Sequence, residues 1–176
     1  MTVEAFSPAQ QDGLQEIANL AMGRAGAVLA EMLDAYIELS VPRVAVIGSQ
    51  DLGPAIEAFA GTERRVAAVR QSFLDGISGE ALAVYADQGC RGLADLLGHR
   101  RITEAVEREL LLDVSTILLG SVLRGLSEHT DTRLTLCRPA LLALSTPAAK
   151  LLPDDALVWD QALMLQVHFR LQARGF

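Results

Sequence analysis

Ser7 to Tyr36 reads SPAQQDGLQEIANLAMGRAGAVLAEMLDAY, and the fold turns on how this stretch winds. Ser7 stands as an N-cap, Pro8 takes the first helical position, and Gln10 follows three residues after the cap, which together start a helix. At about 100° per residue, Leu14, Ile17, Ala21, Ala25, Val28 and Met32 fall on one face as a core stripe. The opposite face carries Asp12, Glu16 and Asn19, followed by Gly23, Gly26, Ala27 and Ala30. Residues three and four apart are neighbours on a helix, so an acid and an amide stand together beside a strip with little side-chain bulk. Any surface helix shows polar residues opposite an apolar stripe. The glycines ask for more, because each costs about 1 kcal/mol against Ala in a helix interior. Close packing supplies a reason, either against a partner or against the protein's own elements.

The remainder of the chain sets the bounds. Its 176 residues suit one domain with a sizeable core, and 51% hydrophobic against 21% charged residues is a globular, soluble balance. A formal net charge of −7 with no long basic run argues against a phosphate-backbone partner. Cys90 and Cys137 give neither a disulfide framework nor a zinc spacing. His99, His129 and His168 lack metal-ligand spacing, so no metal site is expected. No signal peptide or membrane span is visible, since Asp113 interrupts the apolar run at Leu110–Leu112, and the expected compartment is the cytoplasm.

In chain order, Ile37 to Val41 alternates as a half-buried strand, Pro42 breaks it, and Val44 to Ile47 continues it. Gly48 to Gly61 reads as loop-like at both ends with a short helix between. Arg65–Leu74 and Glu80–Ala86 read as strands joined across a turn-rich Asp75–Gly79. A short helix is expected over Gln88–Leu97, then a long one from Thr103 to about Leu126, with Glu104 and Glu107 in its first turn. Thr132–Leu144 is extended and interrupted at Pro139, Thr146–Leu152 is a helical or turn segment, and Ala156–Ala173 is mostly strand. Trp159 is expected in the core or an interface.

The two long helices repeat each other. At a constant offset of 97, Asp12 falls on Glu109, Glu16 on Asp113, Asn19 on Thr116, Gly23 on Gly120 and Pro42 on Pro139. The stripe follows, with Leu14 on Leu111, Ile17 on Val114, Ala21 on Leu118 and Ala25 on Val122. Core, polar face, glycine and strand proline all coincide, which indicates a duplicated helix–strand unit. Residues 1–176 are therefore read as one domain of two half-repeats, about 7–98 and 103–176.

Asp12, Glu16, Asn19 and Pro42 supply the spacing acid-x-x-x-Glu-x-x-Asn, then 22 residues, then Pro. This pattern resembles that of the CheC/CheX/FliY family of chemotaxis phosphatases. EIANLAMGRAGAVL resembles that family's first helix, Val41-Pro42 its following strand, and Gly76–Ala81 its hairpin entry. Among its members the pattern is most similar to CheC, with a degenerate second site. The resemblance implies an α/β fold, a CheC-like three-layer sandwich of two pseudo-twofold-related long helices packed on an intertwined antiparallel sheet. It implies hydrolysis of the aspartyl phosphate of a CheY-like response regulator. Asn19 would orient the attacking water, and Glu16 would dock the partner through the lysine beside its phosphorylated aspartate. Asp12, Gly23, Gly26, Ala27 and Pro42 would lie along the partner contact. No cofactor of its own is implied, since Mg²⁺ is expected in the receiver. A CheD-like regulator is left open as a further partner. A non-catalytic adaptor on the same scaffold, as in the FliM middle domain, is the alternative.

The second half departs from the pattern. At Glu109, Asp113, Thr116 and Pro139 the glutamate is shortened and the amide replaced by a hydroxyl, so this site is expected to be inactive. Leu123 and Arg124 replace Gly26 and Ala27 and would crowd a visitor. The second half also stops before the strand and helix that end the first, which leaves the strand at Ala162–Leu171 without an expected partner. Either that half is cut short or the edge is covered in a homodimer.

Overall fold

The computed structural model describes residues 6–61, 65–86, 103–152 and 159–173. Helix α1 (Pro8–Met32) opens as read from its cap. Ser7 Oγ accepts from the Gln10 amide at 3.3 Å, and Gln10 Oε1 accepts from the Ser7 amide at 2.8 Å. Strands β1 (Ala35–Leu39) and β2 (Arg43–Gly48) follow, then α2 (Ser49–Ala60), β3 (Arg65–Asp75), β4 (Gly79–Ala86), α3 (Glu104–Thr130), β5 (Leu134–Leu136), β6 (Ala140–Pro147), a 3-10 turn at Ala148–Lys150, β7 (Gln161–Gln166) and β8 (Phe169–Ala173). The helix expected at Gln88–Leu97 lies outside the described residues, as do Cys90 and His99.

The strands pair across the halves. β1 and β2 run antiparallel to β8 and β7, while β3 lies between β4 and the β5–β6 segment, antiparallel to both. The first extended segment of each half thus takes its partner from the other half, which is the intertwining the fold class implies. It also corrects one expectation. The strand at Ala162–Leu171 is not unpaired, because β2 and β1 run along one side of it from Gly48↔Gln161 to Ala35↔Ala173. Offset arithmetic within one half cannot find a partner that belongs to the other.

Each ribbon is kinked at its proline by the same device. Between Leu39↔Phe169 and Arg43↔Gln166, residues 40–42 oppose only 167–168. Between Phe73↔Leu136 and Arg70↔Ala140, residues 137–139 oppose only 71–72. One extra residue on one strand is a β-bulge, and Pro42 and Pro139, which have no N–H to give the ladder, sit within them.

Period-two alternation along β3 makes three layers of the whole. Val66 and Ala68 pack with Ile56 and Ala60 of α2 and with Ala148 and Leu151, while Ala67 and Val69 pack on Leu111 of α3. All four β3 residues have 0% exposure, as expected of a strand covered on both faces. A further core joins Met22, Ala25 and Leu29 of α1 with Leu110, Val114 and Leu118 of α3. The long helices touch at Gly125, where an added Cβ would lie 3.3 Å from Ile17 Cγ2. α3 is long and apolar enough to cross a membrane by length and composition alone; in this fold its apolar side is taken up by α1 and the sheet.

Several local readings shift. The buried stripe of α1 is Ile17, Ala18, Ala21, Met22, Ala25, Gly26 and Leu29, whereas Val28 and Met32 are exposed. Successive steps of four advance about 40° around a 3.6-residue helix, and the packed face follows that drift from Ala25 to Leu29 and Leu33 instead of stepping back to Val28. Gly48–Gly61 is mostly a full helix despite Gly53-Pro54, held by burial of Ile56 and Ala60. α3 continues past Leu126 to Thr130 and stops where Asp131 turns left-handed at φ 47°. Cys137 is a half-buried free thiol, and Trp159 lies at the surface.

Candidate functional site

With the packed side of α1 fixed by Ala18, Ala21, Met22, Ala25 and Leu29, the residues half a turn away must face water. Asp12, Glu16, Asn19, Gly23 and Ala27 are all exposed. Among the described residues, neither the Glu16 nor the Asn19 side chain hydrogen-bonds to another part of the protein. A Cβ added at Gly23 would meet nothing within 4 Å. A carboxylate and a carboxamide one turn apart therefore stand on an open ridge with a gap in the side-chain cover directly beside them.

Two residues expected along a partner contact are not on that ridge. Gly26 is buried, and a Cβ there would lie 2.6 Å from Leu39 Cδ1. Its missing side chain lets α1 lie close on β1. Pro42 is buried as well, with its carbonyl accepting from Gln15 Nε2 at 2.5 Å. Conversely Leu20, passed over in the sequence, is 48% exposed on the ridge beside Glu16 and Asn19. A leucine on the polar face of an otherwise regular helix was the available signal.

The second helix presents the corresponding positions differently. Glu109, Asp113 and Thr116 are exposed, and Pro139 is half-buried. Thr116 Oγ1 donates to the Leu112 carbonyl of its own helix at 2.7 Å, so the hydroxyl is turned back onto the backbone. Gly120 has as much room as Gly23. Leu123 does not crowd the surface as expected, because it is 3% exposed and belongs to the core. Arg124 alone adds bulk there.

The two helix surfaces are joined by Arg24 Nη1 and Glu128 Oε2 at 2.9 Å. The Arg24 guanidinium, by hydrogen bond and charge, holds the Glu128 carboxyl below its ordinary pKa, with Arg124 and His129 adding smaller effects in the same direction. Both partners are exposed, so the pair adds little stability. On the α2-facing side of the sheet, a shallow groove of about 380 Å³ runs between Arg70, Ser72, Glu80 and Trp159, holding none of the sequence-predicted residues. His129 bonds to the Gly125 carbonyl of its own helix and His168 belongs to the β1–β8 kink. Among the described residues no three His, Cys, Asp or Glu side chains converge as a metal site.

The fold matches that of Thermotoga maritima FliY with a TM-score of 0.75 at 15% identity, over 97% of this chain and 87% of that one. It matches the FliM middle domain from H. pylori at 0.65 and 12% identity, over 94% of this chain and 87% of the other. A CheC-like superfamily protein from Shewanella sp. PV-4 matches at 0.51 and 13% identity, over 88% and 97%. No family model and no curated protein matches the sequence itself. The chain is built on the CheC/CheX/FliY fold, an architecture it shares with FliY, the FliM middle domain and a CheC-like superfamily protein.

Proposed function

We propose that this protein is a phosphatase that hydrolyses the aspartyl phosphate of a CheY-like response regulator in the cytoplasm. The observation that carries the reading is the open ridge of α1, where Glu16 and Asn19 face solvent one turn apart beside the bare surface of Gly23. Transfer of a phosphoryl group to water needs positioning and charge neutralisation more than a strong nucleophile. Mg²⁺ and a lysine belong to the receiver, so the visiting helix has only to hold one water in line. The Asn19 carboxamide offers an acceptor and donors on one short stem. Glu16 pairs with the receiver's lysine and sets the register of docking.

The test is the decay of a phosphorylated receiver in Mg²⁺ with catalytic amounts of this protein. Wild type accelerates decay, and Asn19→Ala returns it to the spontaneous rate, a loss of about a hundredfold or more if orientation of the water is the main contribution. An unchanged decay rate with wild type across several receivers refutes the proposal. The likeness to the FliM middle domain favours a second reading, a receiver-binding adaptor, because one fold hosts both activities. An adaptor binds the receiver and leaves the phosphate lifetime unchanged.

A further inference from the structure

Gln15 lies next to Glu16 in sequence and one turn before Asn19, yet it points away from the ridge. It is half-buried, and its Nε2 donates to the Pro42 carbonyl at 2.5 Å. That carbonyl sits in the bulge where residues 40–42 oppose 167–168, so it is in a stretch where the ladder cannot serve every backbone group. Other groups of this bulge are occupied within the ribbon. Ser40 N–H donates to the His168 carbonyl at 3.0 Å, and His168 N–H donates to Ser40 Oγ at 3.0 Å. Gln15 is therefore a bond from the helix to the kink of the sheet, made at the turn that carries Glu16 and Asn19.

The second half lacks this bond. The offset of 97 puts Leu112 in the place of Gln15, and a leucine has no donor for the region of Pro139. The amide at that second bulge comes from the opposing strand, where Gln71 Nε2 donates to the Cys137 carbonyl at 2.9 Å, and α3 is bonded to the sheet elsewhere, through Ser115 Oγ and the Tyr85 hydroxyl at 2.7 Å. A helix-to-bulge hydrogen bond accompanies the intact Glu–Asn pair and is missing where the pair has decayed.

We propose that Gln15 is a positioning residue for the reaction assigned above: its bond to the Pro42 carbonyl fixes the rotation of the first turns of α1 and so the line along which Asn19 presents water to the receiver. This rests on the phosphatase reading. Rotation of α1 by a few degrees moves a side-chain tip on its surface by a fraction of an ångström, and misplacement of a reacting group by about 1 Å costs about a hundredfold in rate.

The test compares wild type, Asn19→Ala, Gln15→Glu, Gln15→Leu and Gln15→Lys in the phosphorylated-receiver assay, over a range of receiver concentrations and alongside thermal melts. Gln15→Glu keeps the size, removes the donor and sets a carboxylate against a carbonyl. It and Gln15→Leu lower the saturated turnover about tenfold, while the half-saturating receiver concentration moves less than about threefold. Gln15→Lys, which restores a donor of similar reach, recovers most of the turnover. Three results overturn the proposal. If wild type is active and Asn19→Ala inert while all Gln15 variants turn over normally, the positioning role fails and the phosphatase reading stands. If the Gln15 variants lose only melting temperature, with turnover per folded molecule unchanged, Gln15 is merely structural. If wild type itself is inert, both readings fall together.

Discussion

On α1, Glu16 and Asn19 face solvent beside a glycine with open space above it, and the helix is tied to the sheet through Gln15. On α3, at the same positions, Asp113 and Thr116 are also exposed, but the threonine hydroxyl is bonded back to Leu112 and the place of Gln15 is taken by leucine. The internal faces differ as well. Leu111 is 1% exposed in the core, whereas its counterpart Leu14 is only half-buried. The core residues differ in both directions, with Ala18 and Ala21 against Ser115 and Leu118 but Ile17 against the smaller Val114.

That contrast can be broken first at the core. Leu111→Ala should destabilise the fold by about 2–5 kcal/mol, as expected for a fully buried leucine, and Leu14→Ala should cost less than half of that. Denaturant melts of the two variants measure the gap, and equal losses would mean that the packing is shared evenly.

The glycines sharpen the comparison next. Gly23 and Gly120 both have nothing within 4 Å of an added Cβ, so each mutation to Ala should stabilise the fold by about 0.5–1 kcal/mol through helix propensity. In the receiver assay they should separate: Gly23→Ala slows dephosphorylation several-fold by crowding the ridge, while Gly120→Ala leaves it unchanged. Parallel melts and decay rates provide both readings.

The smallest effect lies where the two helices meet at Arg24 and Glu128. The folded-state pKa of Glu128 is depressed, so its contribution is present above the unfolded-state pKa and is lost as pH falls through the lower, folded-state value. Arg24→Ala should return the Glu128 titration toward the ordinary carboxylate range, read by NMR of its side-chain carboxyl carbon. A titration unmoved by this change would assign the shift to Arg124 and His129 instead.

How far the sequence goes toward this picture depends on whether the deciding contact is local. The capping of α1 by Ser7 and Gln10 is written within four residues, and helical periodicity alone places Glu16, Asn19 and Gly23 together on the outer side. The same periodicity misplaces Val28 and Met32, because the drift of the packed face depends on which neighbour the helix meets. Gly53-Pro54 reads as a break since the burial that overrides it, Ile56 and Ala60 against β3, comes from another element. The Gln15–Pro42 bond joins residues 27 positions apart and depends on strand register, which one helix pattern does not reveal. Likewise Gly26 reads as surface until β1 is laid over it.

The pairing of Ala35 with Ala173 has a consequence for how the molecule is made. On the ribosome, β1 and β2 emerge long before the segment that will complete them, and β3 must wait for β5 and β6. Such distant closures raise contact order and slow folding. Neither half can finish alone, so a polypeptide divided between β4 and α3 should yield two insoluble pieces that recover solubility only when refolded in each other's presence.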